Sequence, residues 1–212
     1  MSYIVNPYMV SASGGVLLFN ENYESTTGWT FNPVSGNAWS IDSGGNGLLL
    51  GTNVPDGNTE QVYRSIGFSL PSAYTLKIEY KPTSSANNIY CFNITETSAE
   101  INSQPKGVLF RTNGGTQINI ATVSSGSFTQ ASYITTLVVD TQYYVKIVND
   151  DTNISMSVFT NSDYSTGQVG STISVTDPNF TTLDTLQHCG RNDGGGGTSS
   201  CEINNVQVYD DT

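Results

Sequence analysis

An all-β fold, two antiparallel sheets packed as a sandwich, is what this sequence predicts, and three observations carry it. Residues suited to a pleated surface, 12 Tyr and 8 Phe together with many Thr, Ile and Val, are interleaved with turn formers that include 21 Gly. Short apolar stretches recur along the whole chain, broken by Gly, Pro, Asn and Ser. No long segment repeats its apolar residues at helical spacing, and Ala is scarce.

The elements follow in order. Residues 16–20 form an apolar run, and 29–31, 38–41 and 48–50 are short strands punctuated by Pro33, Gly36, Gly44, Gly45 and Gly47. Residues 61–67 lead into 74–80, where Tyr74, Leu76, Ile78 and Tyr80 take one face and Thr75, Lys77 and Glu79 the other. That period of two marks a half-buried strand. Residues 89–94, 108–111, 118–122 and 136–139 continue the series. A hairpin is predicted from 143–149 and 154–160, with Asp150, Asp151 and Thr152 as turn residues. Late strands are expected at 172–175, 186–190 and 201–209. About a dozen strands of ordinary length make two sheets. With no internal repeat and no composition break, 16–212 reads as one β-sandwich domain. Residues 1–15 read as an N-terminal arm ending in a hinge at Gly14 and Gly15.

Charge excludes some functions. Seven Lys and Arg stand against 18 Asp and Glu, a net charge of −11, and the cations are scattered. Nucleic acid and anionic membranes need clustered cations, so neither is an expected partner. No apolar run approaches the ~20 residues of a membrane span. The N-terminus lacks the basic and long apolar regions of a signal peptide, so the chain is expected to be cytoplasmic, already processed, or released without a signal. Cys91, Cys189 and Cys201 form no C-x-x-C, and His188 is the one histidine, so a Cys/His zinc site is not expected. Cys189 and Cys201 flank a Gly-rich segment. They are read either as a disulfide across a hairpin or, preferably, as small buried hydrophobes.

Four segments in order carry a resemblance. They are Phe19-Asn-Glu-Asn-Tyr-Glu-Ser-Thr-Thr-Gly-Trp-Thr30 followed by Ala38-Trp-Ser-Ile-Asp-Ser43; then Tyr74-Thr-Leu-Lys-Ile-Glu-Tyr-Lys81; then the hairpin beginning Tyr143-Tyr-Val-Lys-Ile-Val; and finally Glu202-Ile-Asn-Asn-Val-Gln-Val-Tyr209. Together they resemble concanavalin A-like (laminin-G-like) jelly rolls. That resemblance implies two curved sheets of six or seven antiparallel strands. It implies no single activity, because the fold hosts lectins, glycoside hydrolases, adhesion modules and virion proteins. The family often has an Asp that helps hold a structural calcium where Asn204 stands, so that calcium is not carried over. The stretch Asn6-Pro-Tyr-Met-Val10 also resembles the starts of small structural proteins of tailed bacteriophages.

Catalytic patterns are missing. Glycosidases of this fold carry acids on one strand as E-x-D-x-x-E; here Glu79 stands between lysines, and Glu202 has Asn204 two residues on. His188 has no G-x-S-x-G to serve. Gly194 to Gly197 lacks the G-K-[ST] of a phosphate loop and reads as a hairpin tip. Asp56, Asn58 and Glu60 alternate oxygen donors as cation loops do, a calcium reading set beside that of a plain Pro-Asp-Gly turn; no other cofactor is expected. For sugar binding, a ring to stack on and planar groups to pair with hydroxyls are needed. Trp29, Trp39, Tyr90, Tyr133, Arg191, Asn192 and Asp193 are the inventory. Trp39 reads as core; Trp29, with Arg191, Asn192 and Asp193, reads as the exposed glycan-binding set.

The expected function is therefore that of a non-enzymatic virion structural or surface protein (decoration, fibre or tail-associated) that binds host or environmental glycans. The expected location is the virion, with an extracellular one as the alternative. A free-standing carbohydrate-binding module is the second reading and a glycoside hydrolase the third. The arm, with Tyr3, Ile4, Val5, Tyr8, Met9 and Val10, is expected to dock on other virion proteins or on copies of the chain, or to form an edge strand of its own domain.

Overall fold

The computed structural model describes residues 15–32, 38–42, 47–55, 61–84, 89–113, 116–135, 137–176, 179–190 and 198–212. The arm residues Tyr3, Ile4, Val5, Tyr8, Met9 and Val10 lie outside them. Among the described residues, fifteen strands follow in chain order: β1 (Val16–Glu21), β2 (Thr30–Asn32), β3 (Trp39–Asp42), β4 (Leu48–Pro55), β5 (Gln61–Ser65), β6 (Ala73–Pro82), β7 (Ile89–Thr95), β8 (Lys106–Asn113), β9 (Gln117–Ser124), β10 (Ser127–Gln130), β11 (Tyr143–Asp150), β12 (Asn153–Phe159), β13 (Ile173–Thr176), β14 (Thr185–Gly190) and β15 (Thr198–Asp210). A single 3₁₀ turn, Ile101–Ser103, is the one helical element among them.

Two sheets result. The eight-stranded sheet runs β13-β12-β11-β6-β15-β4-β3, with β1 also paired to β15. The seven-stranded sheet runs β10-β9-β8-β7-β14-β5-β2. Every strand pairing is antiparallel. The sandwich expected from the sequence is thus present, with one more strand in its larger sheet than the resemblance implied.

The alternation on β6 does what its period dictates. Tyr74, Leu76, Ile78 and Tyr80 are all fully buried between the sheets. Across the core, Tyr80 meets Phe110 of β8 edge-on, ring centroids 5.1 Å apart. Thr75 points to the other face yet is also buried, because its hydroxyl donates to Asp211 at 2.5 Å. The β11–β12 turn is held by side chains: Asp150 Oδ1 accepts from the backbone N–H groups of Thr152 and Asn153 at 3.0 and 2.7 Å. Those bonds hold the Asp150 carboxyl below the usual carboxylate range. Asp151 takes φ 68°, the left-handed region that Asp tolerates better than most residues.

Two expectations are corrected, and one strand was not among those expected. Of the strand expected at 136–139, the described residues 137–139 form a loop: the Leu137 N–H donates to the carbonyl of Thr116, and the Val138 N–H to the hydroxyl of Tyr143. A side-chain acceptor there satisfies the backbone, and no ladder forms. Strand β10, polar on the surface and only four residues long, was not legible as a strand. Cys189 and Cys201 do not face each other across a hairpin, because β14 belongs to the seven-stranded sheet and β15 to the eight-stranded one. All three cysteines are buried free thiols, and burial pushes their pKa values up.

Leu76 sits at the centre of β6 with no exposed surface. Truncating it to Ala is expected to lower stability by ~2–5 kcal/mol, the range for a large-to-small core change. Urea unfolding of the variant, with an unchanged m-value, checks this.

Candidate functional site

The glycan-binding set read from the sequence does not assemble as expected. Trp29 is 8% exposed and lies inside the sandwich. It stacks on Tyr23 at 5.5 Å and tilts against the imidazole of His188 at 5.6 Å. Trp39 and Phe92 close the same cage around His188, at 5.6 and 6.2 Å. The guanidinium of Arg64 lies 5.6 Å from the Trp29 ring and is ion-paired with buried Glu21, which covers the indole from outside. Trp29 is therefore core, not a stacking platform. Arg191, Asn192 and Asp193 lie outside the described residues, as do Asp56, Asn58 and Glu60.

His188 is structural. Its Nδ1 is 2.6 Å from the Cys91 carbonyl, which requires Nδ1 to donate, and Nε2 then accepts from the Tyr23 hydroxyl at 3.2 Å. Burial pushes its pKa down to about 3, so it is neutral at neutral pH. A sealed imidazole with both nitrogens engaged has nothing to transfer a proton to.

The outer face of the seven-stranded sheet has a different character. None of its strands contains an Asp or Glu. Amides, a guanidinium and rings stand there instead. Asn119 on β9 sits directly across from Arg111 on β8. Arg111 donates to Gln130 Oε1 at 2.5 Å and lies 5.7 Å from the centre of the Tyr133 ring. The Asn119 amide donates to the Ala131 carbonyl at 3.3 Å, while its buried Oδ1 has no partner. Nearby, Tyr90 and Phe128 stack with centroids 6.3 Å apart, and Phe128 is 39% exposed. Tyr90 belongs to a small apolar cluster with Ile101, Leu109, Ala121, Val123 and Cys189.

The other half of that face is closed. Gln187 on β14 donates to Gln61 Oε1 at 2.5 Å and to the Ala99 carbonyl at 3.0 Å. Gln104 donates to the carbonyls of Thr97 and Ala99, and Gln61 to that of Ser98. Asn93 donates to the carbonyls of Tyr90 and Gln187. This clasp of amides holds residues 96–104 against the sheet, with Ile101 sunk into the apolar cluster. Tyr90 and Tyr133 were in the sequence inventory, whereas Arg111, Asn119 and Gln130 were not. For Arg111 and Asn119 the signal was the alternation, each offset by one from a core residue, Phe110, Ile118 or Ile120; Gln130 only precedes the partly buried Ala131.

Among the described residues no group of three or more His, Cys, Asp or Glu side chains is placed to hold a metal ion. Asn204, standing where related domains often have an Asp, donates its amide to Glu79 at 3.0 Å.

No protein-family model matches the sequence, and no curated protein matches it. Solved structures match the fold across nearly the whole chain. The exoplasmic/lumenal domain of VIP36, in its Ca2+/Man2-bound form, is similar at a TM-score of 0.62 and 11% identity, over 91% of this chain and 88% of that one. The Bacillus licheniformis β-glucanase is similar at 0.59 and 13% identity, over 92% and 98%. The CBM2 module of the Lactobacillus casei BL23 phage J-1 evolved Dit is similar at 0.56 and 12% identity, over 91% and 94%. The fold is a concanavalin A-like jelly roll.

A buried neutral histidine makes stability depend on pH. Its contribution is complete above its ordinary pKa of 6.5 and is lost as pH falls from there toward about 3, because the unfolded chain takes up the proton first. Between pH 6 and 4 the native protein is expected to lose stability more steeply than a His188→Asn variant, by about 1.4 kcal/mol per pH unit. Urea titrations of the two proteins at several pH values measure the difference; equal slopes refute the assignment.

Proposed function

We propose that this domain binds glycans without cleaving them, at the edge of the outer face of the seven-stranded sheet, where β10 exposes Phe128 and Gln130 and half-buried Tyr133 follows. One observation carries the reading: that face presents planar hydrogen-bonding groups and rings where hydrolysis would require carboxylates. A retaining glycosidase needs two carboxyl groups ~5–5.5 Å apart across the scissile bond, and an inverting one needs them ~6.5–9.5 Å apart. The strands of this sheet hold none. Gln130 instead offers an exposed amide, oriented by buried Arg111, to pair with hydroxyls, and the rings of Tyr133 and Phe128 offer faces for a pyranose.

The fold likeness to a phage Dit CBM2 module and to a mannose-bound lumenal domain supports this choice among the activities the fold hosts. The finer reading is a surface component of a virion, displayed through its N-terminal arm. It is supported by the phage-like stretch Asn6-Pro-Tyr-Met-Val10 and by the same Dit neighbour.

A glycan array with the wild-type chain tests the proposal, followed by calorimetry on the best ligand. Tyr133→Ala and Gln130→Ala are expected each to weaken binding at least tenfold while keeping the melting temperature within a few degrees, since loss of a stacking ring or a paired amide is worth about 1–3 kcal/mol. Failure to bind any glycan overturns the function. Binding that survives both substitutions overturns the site. Release of reducing ends from the bound glycan overturns the non-catalytic reading.

A further inference from the structure

The outer face of the eight-stranded sheet, on the far side of the sandwich, carries a second chemistry. Lys77 on β6 is directly opposite Lys146 on β11 and, on its other side, opposite Gln207 on β15. Like charges facing each other across a strand pair are destabilising. The chain has 18 acids against seven cations, yet among the described residues none forms an ion pair with either lysine. The ion pairs among the described residues are Arg64–Glu21, Lys81–Glu202 and Lys106–Glu96. Lys77 and Lys146 make none.

The carboxylates nearest to them are engaged elsewhere. Glu79 accepts from the Asn204 amide, Asp211 from the Thr75 hydroxyl, and Glu202 from Lys81. Aromatic rings then frame the pair. The Lys77 ammonium lies 4.7 Å from the centre of the Tyr209 ring and 5.4 Å from that of Tyr164. Tyr164, half-way along the β12–β13 connection and itself in the left-handed region at φ 54°, folds over the sheet and meets Tyr144 edge-on at 5.5 Å. The rings hold the Lys77 ammonium in place and strip some of its water, at a modest electrostatic gain. The Tyr209 hydroxyl donates to Gln207 Oε1 at 2.9 Å, which fixes that amide beside the lysines.

We propose that Lys77 and Lys146, with the Gln207 amide, form an oxyanion site that takes a phosphate or carboxylate group between the two ammoniums. A bound oxyanion offsets the repulsion that the bare pair carries and accepts from ammonium groups that no described carboxylate pairs with. The direction of the Lys77 pKa agrees: burial first, and then the charge of Lys146, lower it, against a smaller opposing effect of Asp211. The site lies on the opposite sheet from the proposed glycan face, so either can fail without the other.

The test is a titration of the isotope-labelled chain with inorganic phosphate, with glucuronate, and with glucose and sodium chloride at matched ionic strength as controls. Saturable shifts at the Gln207 side-chain amide and the lysine ammonium groups are expected with phosphate, with glucuronate, or with both. Glucose and chloride are expected to give none. The arm that saturates identifies the source of the oxyanion, a free or esterified phosphate or a sugar acid. The lowered Lys77 titration is expected to move upward in the bound state. Lys146→Gln is expected to bind at least tenfold more weakly and to be no less stable than wild type in chloride; Lys146→Arg is expected to bind. If neither anion saturates, if chloride does the same, or if Lys146→Gln binds as wild type does, the proposal is wrong.

Discussion

Strand β15 is the constraint on which the rest of the sandwich depends. Along one edge it pairs with β6 from Cys201 to Asp210. Its other edge is divided: β4 takes the stretch from Thr198 to Ile203, and β1 takes the stretch from Val206 to Asp210. Without β15 the larger sheet would fall into three pieces, β13-β12-β11-β6, β4-β3 and β1. Its inward residues Ile203, Val206 and Val208 are fully buried. The same strand supplies the outward Gln207 and Tyr209 beside the lysine pair. These pairings join residues far apart in the chain, a non-local topology of the kind that folds slowly.

Two β-bulges tune what the sheets present. In β15 the register shifts between Ile203 and Asn205, leaving Asn204 as the extra residue, and its amide engages Glu79. In β7 the shift opposite Gln187 and Cys189 leaves one extra residue, and both Cys91 and Phe92 join the main core. Tyr90 and Asn93 are thereby kept on the outer face, while the Cys91 carbonyl accepts from His188. Bulges of this kind re-aim side chains without breaking a sheet.

The two outer faces share one backbone plan and differ in charge. That of the seven-stranded sheet has no carboxylate on its strands and is half closed by an amide clasp. That of the eight-stranded sheet carries both signs, with one lysine pair that forms no ion pair with a described acid. A jelly roll allows this because every strand buries alternate residues and leaves the others free to vary.

Periodicity and turn chemistry made much of the fold legible. The strict alternation of 74–80, the Asp150–Thr152 turn and the apolar runs at 89–94 and 143–149 are local signals, because side-chain direction along a strand follows from the chain itself. Tyr90 and Tyr133 could be named only as rings able to stack on a sugar, not by their place. Trp29 could not be placed: the sequence shows a tryptophan after a turn glycine, and only the approach of Tyr23, His188 and Arg64 from distant segments puts it inside. Arg111 and Asn119 lie on strands that the sequence marks, but their meeting depends on the register of β8 against β9. The pairing of Lys77 with Lys146 likewise depends on β6 lying beside β11. The sequence by itself determined which residues alternate and where the chain turns. Tertiary structure alone decided which alternating residues become neighbours, because strand pairing and sheet packing join segments that no local propensity relates.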